Sequence, residues 1–361
     1  MWEAIIDGRD AGPVWTAIRA LADSVVDLGY PAGDLAVFWT YLATVAHDDT
    51  EIADRAARAN ERFLAELERG YLNPALFDGL AGGGWAAAHV GSDAEALLAA
   101  IDERLLAQLE SWTGHYDLVT GIAGLGIYFL EHDGPTAARG RALVVEQLAA
   151  RCERDAHGAT WRTRPEDLPA YDREAWPEGH YNCGVAHGVA GAIGVLARIA
   201  ARADAPPLAA TLRDDAGRWL AAQRRDGRYP AFVFGDRTAP ARTAWCYGEP
   251  GIAVALQHPD PGWLAQDVPF ADLTLCHGAS GLMHLANRMY QATRDTRYRD
   301  AARRWLATTL AHGIDQLRPP DDVRRDSLLL GTTGVGLALL AAVSDLEPGW
   351  DRLLLCDLPV R

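Results

Sequence analysis

The chain contains no lysine; all 34 of its basic residues are arginine. That absence removes Schiff-base catalysis, a pyridoxal-phosphate anchor and a Walker-type phosphate lysine. Positive charge is also in deficit, with 49 acidic residues and a formal charge of −15. The balance argues against binding nucleic-acid phosphates or an anionic membrane surface, and favours attraction of a cationic peptide. No apolar run reaches the roughly 18 residues of a membrane span. The opening MWEAIIDGRD is acidic and lacks the apolar core of a signal peptide, so a cytoplasmic location is expected. Cysteine is sparse, five in 361 residues, and an odd number in a reducing compartment reads as free thiols or metal ligands rather than disulfides.

Against these absences stands a surplus of glycine, and it is patterned. A short block recurs with its first glycine at Gly79, Gly121, Gly188, Gly248, Gly278 and Gly331, and a second glycine three residues on. Each block leads into an apolar stretch at helical spacing, such as Ile193, Leu196 and Ile199. Amphipathic segments such as Asp300 to His312 lie between blocks. The pattern predicts helical hairpins, in which an outer amphipathic helix leads into an inner apolar helix that opens at the Gly-x-x-Gly step. Glycine there tolerates non-helical backbone angles and permits close approach of neighbouring helices. Several such hairpins side by side expose two edges, and closing the array covers both. An all-α fold, an α/α toroid, is therefore expected, with an open solenoid as the alternative. The segment from Trp15 to Glu68 is helical in pattern without the glycine signature. No linker is evident, so residues 1–361 read as one domain with loop insertions near 155–182 and 224–242, on a rim where function tends to sit.

The residues just ahead of each first glycine differ from block to block, and polar and sulfur-bearing types gather there. Cys246 and Cys276 occupy the same point of two blocks, and His277 follows Cys276 directly. Equivalent blocks would place these side chains around one cavity mouth. Two thiolates and an imidazole suit zinc with one position left open, the arrangement of catalytic rather than structural zinc. Taken singly, either cysteine reads equally as a buried structural thiol. Two thiolates neutralise the dication and make it a weak activator of water, so addition of a zinc-bound thiolate is favoured over hydrolysis. His180, Cys183 and His284 read as packing or loop residues, and Cys152 and Cys356 as structural.

In order along the chain, Tyr116-Asp117…Gly121, Ala186-His187-Gly188, Arg242-x-x-x-Cys246-Tyr247-Gly248-x-Pro250-Gly251, Cys276-His277-Gly278 and Ser327-Leu328-Leu329-Leu330-Gly331 resemble the LanC-type lanthipeptide cyclases. The resemblance runs from Leu76 to Leu355 and implies a catalytic zinc held by Cys246, Cys276 and His277. It further implies His187 as acid/base, with Asp117 and Arg242 as supporting catalytic positions. The activity it implies is closure of thioether rings, lanthionine or methyllanthionine, by addition of a peptide cysteine to dehydroalanine or dehydrobutyrine in the same peptide. The partners it implies are a dehydrated precursor peptide, leader plus core, and a lanthipeptide dehydratase. No fused kinase or dehydratase region is seen, so the chain resembles the stand-alone cyclases. One alternative is a LanC-like enzyme that adds glutathione or another thiol to dehydroamino acids. Another is a metal-free toroid, a scaffold or a glycosidase using Asp78 and Asp117 as its carboxylate pair; this leaves both cysteines unexplained.

Overall fold

The computed structural model describes residues 1–25, 32–71, 73–91, 95–265, 271–313, 322 and 324–360. In chain order its helices begin with α1 (Ala11–Ser24), α2 (Ala32–Val45), α3 (Thr50–Arg69), α4 (Leu80–His89), α5 (Glu95–Glu110), α6 (Ile122–Glu131) and α7 (Pro135–Arg151). They continue with α8 (Ala170–Ala175), α9 (Val189–Ala200), α10 (Pro207–Ala222), α11 (Glu249–Ala255), α12 (Ala279–Thr293), α13 (Thr296–Ala311) and α14 (Thr332–Val343). The helical reading from Trp15 to Glu68 corresponds to α1, α2 and α3, with residues 26–31 outside the described residues.

Six helices, α4, α6, α9, α11, α12 and α14, start directly after a first glycine of the repeat. The glycine serves as the cap residue, extended in most blocks and at φ +83° in Gly248, a left-handed-side angle that a side chain resists. The second glycine has a different use from the one its spacing suggests. A Cβ at Gly191 would collide with the carbonyl of Val185 six residues earlier, and one at Gly334 with the carbonyl of Leu328. The same approach recurs at Gly82, Gly124 and Gly281, so in these five blocks the loop folds back onto the first turn of the helix it leads into, and this contact within the block is what demands glycine.

Contacts divide the chain into two compact units: residues 1–69, 243–245 and 259–361 form the first, and 70–242 with 246–258 the second. In the second unit α4, α6, α9 and α11 are successive neighbours, while α7 and α10 pack behind α6 and α9. Their glycine loops are stitched side by side through the main chain. Phe77 N–H donates to Val119 O (3.3 Å), Leu118 N–H to Ala186 O (3.2 Å) and Val185 N–H to Cys246 O (2.9 Å). The first unit repeats the device between the loops before α12 and α14, where Cys276 N–H donates to Leu329 O (3.1 Å). Cys246 and Cys276 both stand two residues ahead of a first glycine, the former taking part in the stitching through its carbonyl and the latter through its N–H.

The two expected insertions are ordered as sheet. Strands β1 (Glu153–Arg154) and β2 (Ala159–Thr160) pair antiparallel, and β3 (Arg162–Thr163), β4 (His180–Asn182), β5 (Phe232–Phe234) and β6 (Arg237–Ala239) form an antiparallel sheet in that order. Glu249, buried at the start of α11, accepts from Tyr229 N–H (2.8 Å) and ties the second insertion to its glycine step. In the first unit Arg288 is fully buried, with Asp351 on one side (Nε to Oδ2 2.7 Å) and Glu347 on another (3.0 Å). His284 joins the same carboxylate at 2.8 Å. Paired in this way, a buried guanidinium escapes the several kcal/mol that an isolated interior charge costs, on the order of 3–5 kcal/mol if one partner is lost.

Candidate active site

The loop before α6 carries Asp117, which is 5% exposed. Its two oxygens divide two tasks. Oδ1 accepts from Thr120 N–H (2.8 Å) and closes an Asx-type turn that shapes the loop, whereas Oδ2 lies 2.6 Å from Nδ1 of His187. His187 sits one residue ahead of its glycine, in the neighbouring stitched loop, with its side chain 47% exposed. Burial pushes the Asp117 carboxyl up, but the hydrogen bond and charge of His187 outweigh it and hold the group below the usual carboxylate range. The surrounding protein disfavours a charged His187; the Asp117 bond, the Asp117 charge and the charge of Cys246 together overcome this and raise the imidazole. With Nδ1–H given to Asp117, Nε2 is the nitrogen that can take or deliver a proton.

Cys246, buried at 6% exposure, belongs to the next loop of the same unit and acts on His187 through its charge. Tyr247 follows it, and its hydroxyl accepts from Asn182 Nδ2 (3.1 Å); Asn182 Oδ1 in turn accepts from Gly184 N–H (2.9 Å). A cavity of about 920 Å³ opens here, lined by Asp117, His187, Tyr247, Asn182, His180 and Trp161 among others, all of the second unit. The first insertion, through β3 and the segment 164–172, supplies one of its walls.

In the first unit the loop before α12 holds Cys276, half-buried, and His277. Asp272 does for this loop what Asp117 does for its own: Oδ1 accepts from Thr274 N–H (2.8 Å), and Oδ2 lies 3.2 Å from His277 Nε2. Nδ1 of the same ring lies 3.3 Å from Thr274 Oγ1, so carboxylate and hydroxyl together fix the plane of the imidazole, and a carboxylate partner of this kind is common behind metal-bound histidines. Cys246 stands in one unit, Cys276 and His277 in the other, and among the described residues no group of three or more His, Cys, Asp or Glu side chains is gathered as a metal site. Arg242 is exposed. Asp272 and Asn182 are not marked by the glycine pattern, whereas Tyr247 stands directly ahead of its glycine; the Asp-x-Thr turn motif ahead of Cys276-His277 is the signal that marks Asp272. Cys183 is a buried thiol pushed up to about 12 by burial, and among the described residues no helix is long and apolar enough to cross a membrane.

Known proteins resemble the chain in sequence pattern and in fold. The family model described as lanthionine synthetase C-like protein matches residues 26–259 and 270–355. Among solved structures, nisin cyclase superposes with a TM-score of 0.77 at 18% identity, over 95% of this chain and 96% of that one. At that identity the likeness shows the fold, all-α and of the α/α-toroid class. No curated protein matches the sequence.

Proposed function

The chain belongs to the lanthionine synthetase C-like family, and from that premise we propose that it is a zinc-dependent lanthipeptide cyclase. The observation that carries the reading is the Asp117–His187 pair, at 2.6 Å, on the wall of a cavity large enough for a folded-back stretch of peptide. Two thiols and an imidazole backed by Asp272 are a donor set that suits zinc. Cys246, Cys276 and His277 are the residues that would hold the ion, and when bound it supplies a means of keeping a peptide thiol deprotonated at neutral pH.

His187 Nε2 receives the thiol proton, and Asp117 stabilises the imidazolium that results. The sulfur then adds to the β-carbon of a dehydroalanine or dehydrobutyrine in the same peptide. A C–S bond forms as the C=C π bond breaks, and His187 returns the proton to the α-carbon. Arg242 is assigned to the enolate's negative charge. The dehydrated precursor peptide is the substrate, and a dehydratase supplies it.

The test is mass spectrometry of a synthetic peptide bearing one dehydroalanine and one cysteine after incubation with the zinc-loaded protein. Cyclisation leaves the mass unchanged and makes the product resistant to thiol alkylation, and His187→Ala slows it by about 10²–10⁴-fold. A peptide that still alkylates fully sinks the reading. A mass increase equal to added glutathione assigns the alternative thiol-adding activity.

A further inference from the structure

The cavity has a second wall that the Asp117–His187 pair does not use. Strand β4 alternates along its length: Tyr181 turns away onto Trp219 and Phe234, while His180 and Asn182 line the cavity. His180 is 2% exposed. Its ring stacks on Phe232 (centroids 4.1 Å apart, 24° between planes) and meets Trp176 edge-on (5.5 Å, 80°). Phe232 in turn meets Tyr247 at 5.6 Å, so an aromatic chain links His180 to the residue after Cys246. Nδ1 of His180 is buried without a hydrogen-bond partner. Burial pushes the imidazole down to about 4, so it is uncharged at working pH.

Packing alone does not account for a histidine here. A phenylalanine would make the same ring contacts without stranding a polar atom, and buried polar groups are rarely left unsatisfied. Contacts on the ring's face and edge also fix its plane and prevent it from turning to find a partner within the protein. A fixed, neutral imidazole suits an uncharged donor or acceptor and is a poor match for a carboxylate or an ammonium group. Peptide amides are of that chemistry.

We propose that His180 is a substrate-positioning residue whose imidazole hydrogen-bonds a main-chain amide of the bound peptide in the aromatic-walled part of the cavity. The inference rests on the reading of this cavity as the peptide site. It places one point of peptide recognition on the insertion sheet rather than on the helices.

The experiment uses zinc-loaded full-length protein and two synthetic probes: a peptide with one dehydroalanine and one cysteine, and the same peptide with alanine for dehydroalanine, which binds but cannot react. His180→Phe keeps the ring contacts and relieves the stranded nitrogen, so it is expected to hold or exceed the wild-type Tm and to keep the wild-type kcat. It should raise KM, and Kd for the unreactive probe, by about tenfold, the worth of one hydrogen bond. His180→Gln, which restores a polar group at similar reach, should recover part of that loss. Unchanged Kd in both variants overturns the proposal, and so does a fall in kcat at constant KM. If the wild-type protein neither binds nor cyclises the probes, the cyclase reading itself fails, a result distinct from a wild type that works and a His180 variant that matches it.

Discussion

His180 and His187 lie seven positions apart, yet the fold drives their imidazoles in opposite directions. His187 gains a carboxylate and is raised; His180 gains only aromatic rings and is lowered to about 4. The second shift has a consequence for stability. In the unfolded chain a histidine titrates near 6.5. Between about pH 4 and 6.5 the unfolded state therefore holds a proton that the native state refuses, and stability rises with pH across that window. The penalty is fully present below about pH 4, on the order of 3 kcal/mol, and absent above about 6.5. Chemical denaturation of wild type and His180→Phe across pH 4–7 should show the difference between them shrinking by that amount as pH rises. A difference independent of pH would mean that the folded imidazole accepts its proton after all. At this scale the glycine blocks pointed to Asp117 and His187, whose side chains the structure brings to 2.6 Å. The sequence marked His180 only as a packing or loop residue and was silent on Asn182, because their common face exists only once β4 pairs between β3 and β5.

At the scale of the element, the repeat was legible because glycine is imposed by backbone geometry. The step is a loop whose carbonyl presses on the first turn of the helix that follows, so the residue three beyond the cap has no room for a side chain. Gly191→Ala drives a Cβ into the Val185 carbonyl and should cost about 1–3 kcal/mol of unfolding free energy, as overpacking does. Gly217, on α10, meets nothing within 4 Å, and Gly217→Ala should instead add about 0.5–1 kcal/mol from helix propensity. Denaturant midpoints for the two variants should move in opposite directions; movement in the same direction would show that crowding is not what the glycine at 191 relieves. The insertion sheet was not legible in the same way. Its strands are two or three residues long, too short for an alternating pattern to emerge, so 155–182 and 224–242 read as loops although they order as strands and wall the cavity.

At the scale of the whole molecule, the first unit is assembled from both ends of the chain. The N-terminal segment is sewn to the late helices: Trp2 Nε1 donates to Ala341 O (3.0 Å), Ile5 N–H to Ala342 O (3.0 Å), and the Arg288 guanidinium lies over the Trp2 ring. α1 and α2 both pack on α14, so helices without the glycine signature complete the apolar surroundings of the last glycine-led helix. Within this unit the two ends of the chain pack together through these contacts. The absence of lysine and the deficit of positive charge leave arginine to serve the buried Asp351 cluster and the surface alike.

The proposed chemistry requires that Cys246 and the Cys276-His277 pair serve one ion. Elemental analysis of purified wild type, Cys246→Ala and Cys276→Ala, after removal of loosely bound metal, addresses this directly. One zinc per wild-type chain, lost to a similar extent in each single variant, is the result the account predicts. Full retention of zinc in Cys246→Ala alongside its loss in Cys276→Ala would contradict it, as would a wild-type protein that binds no zinc at all.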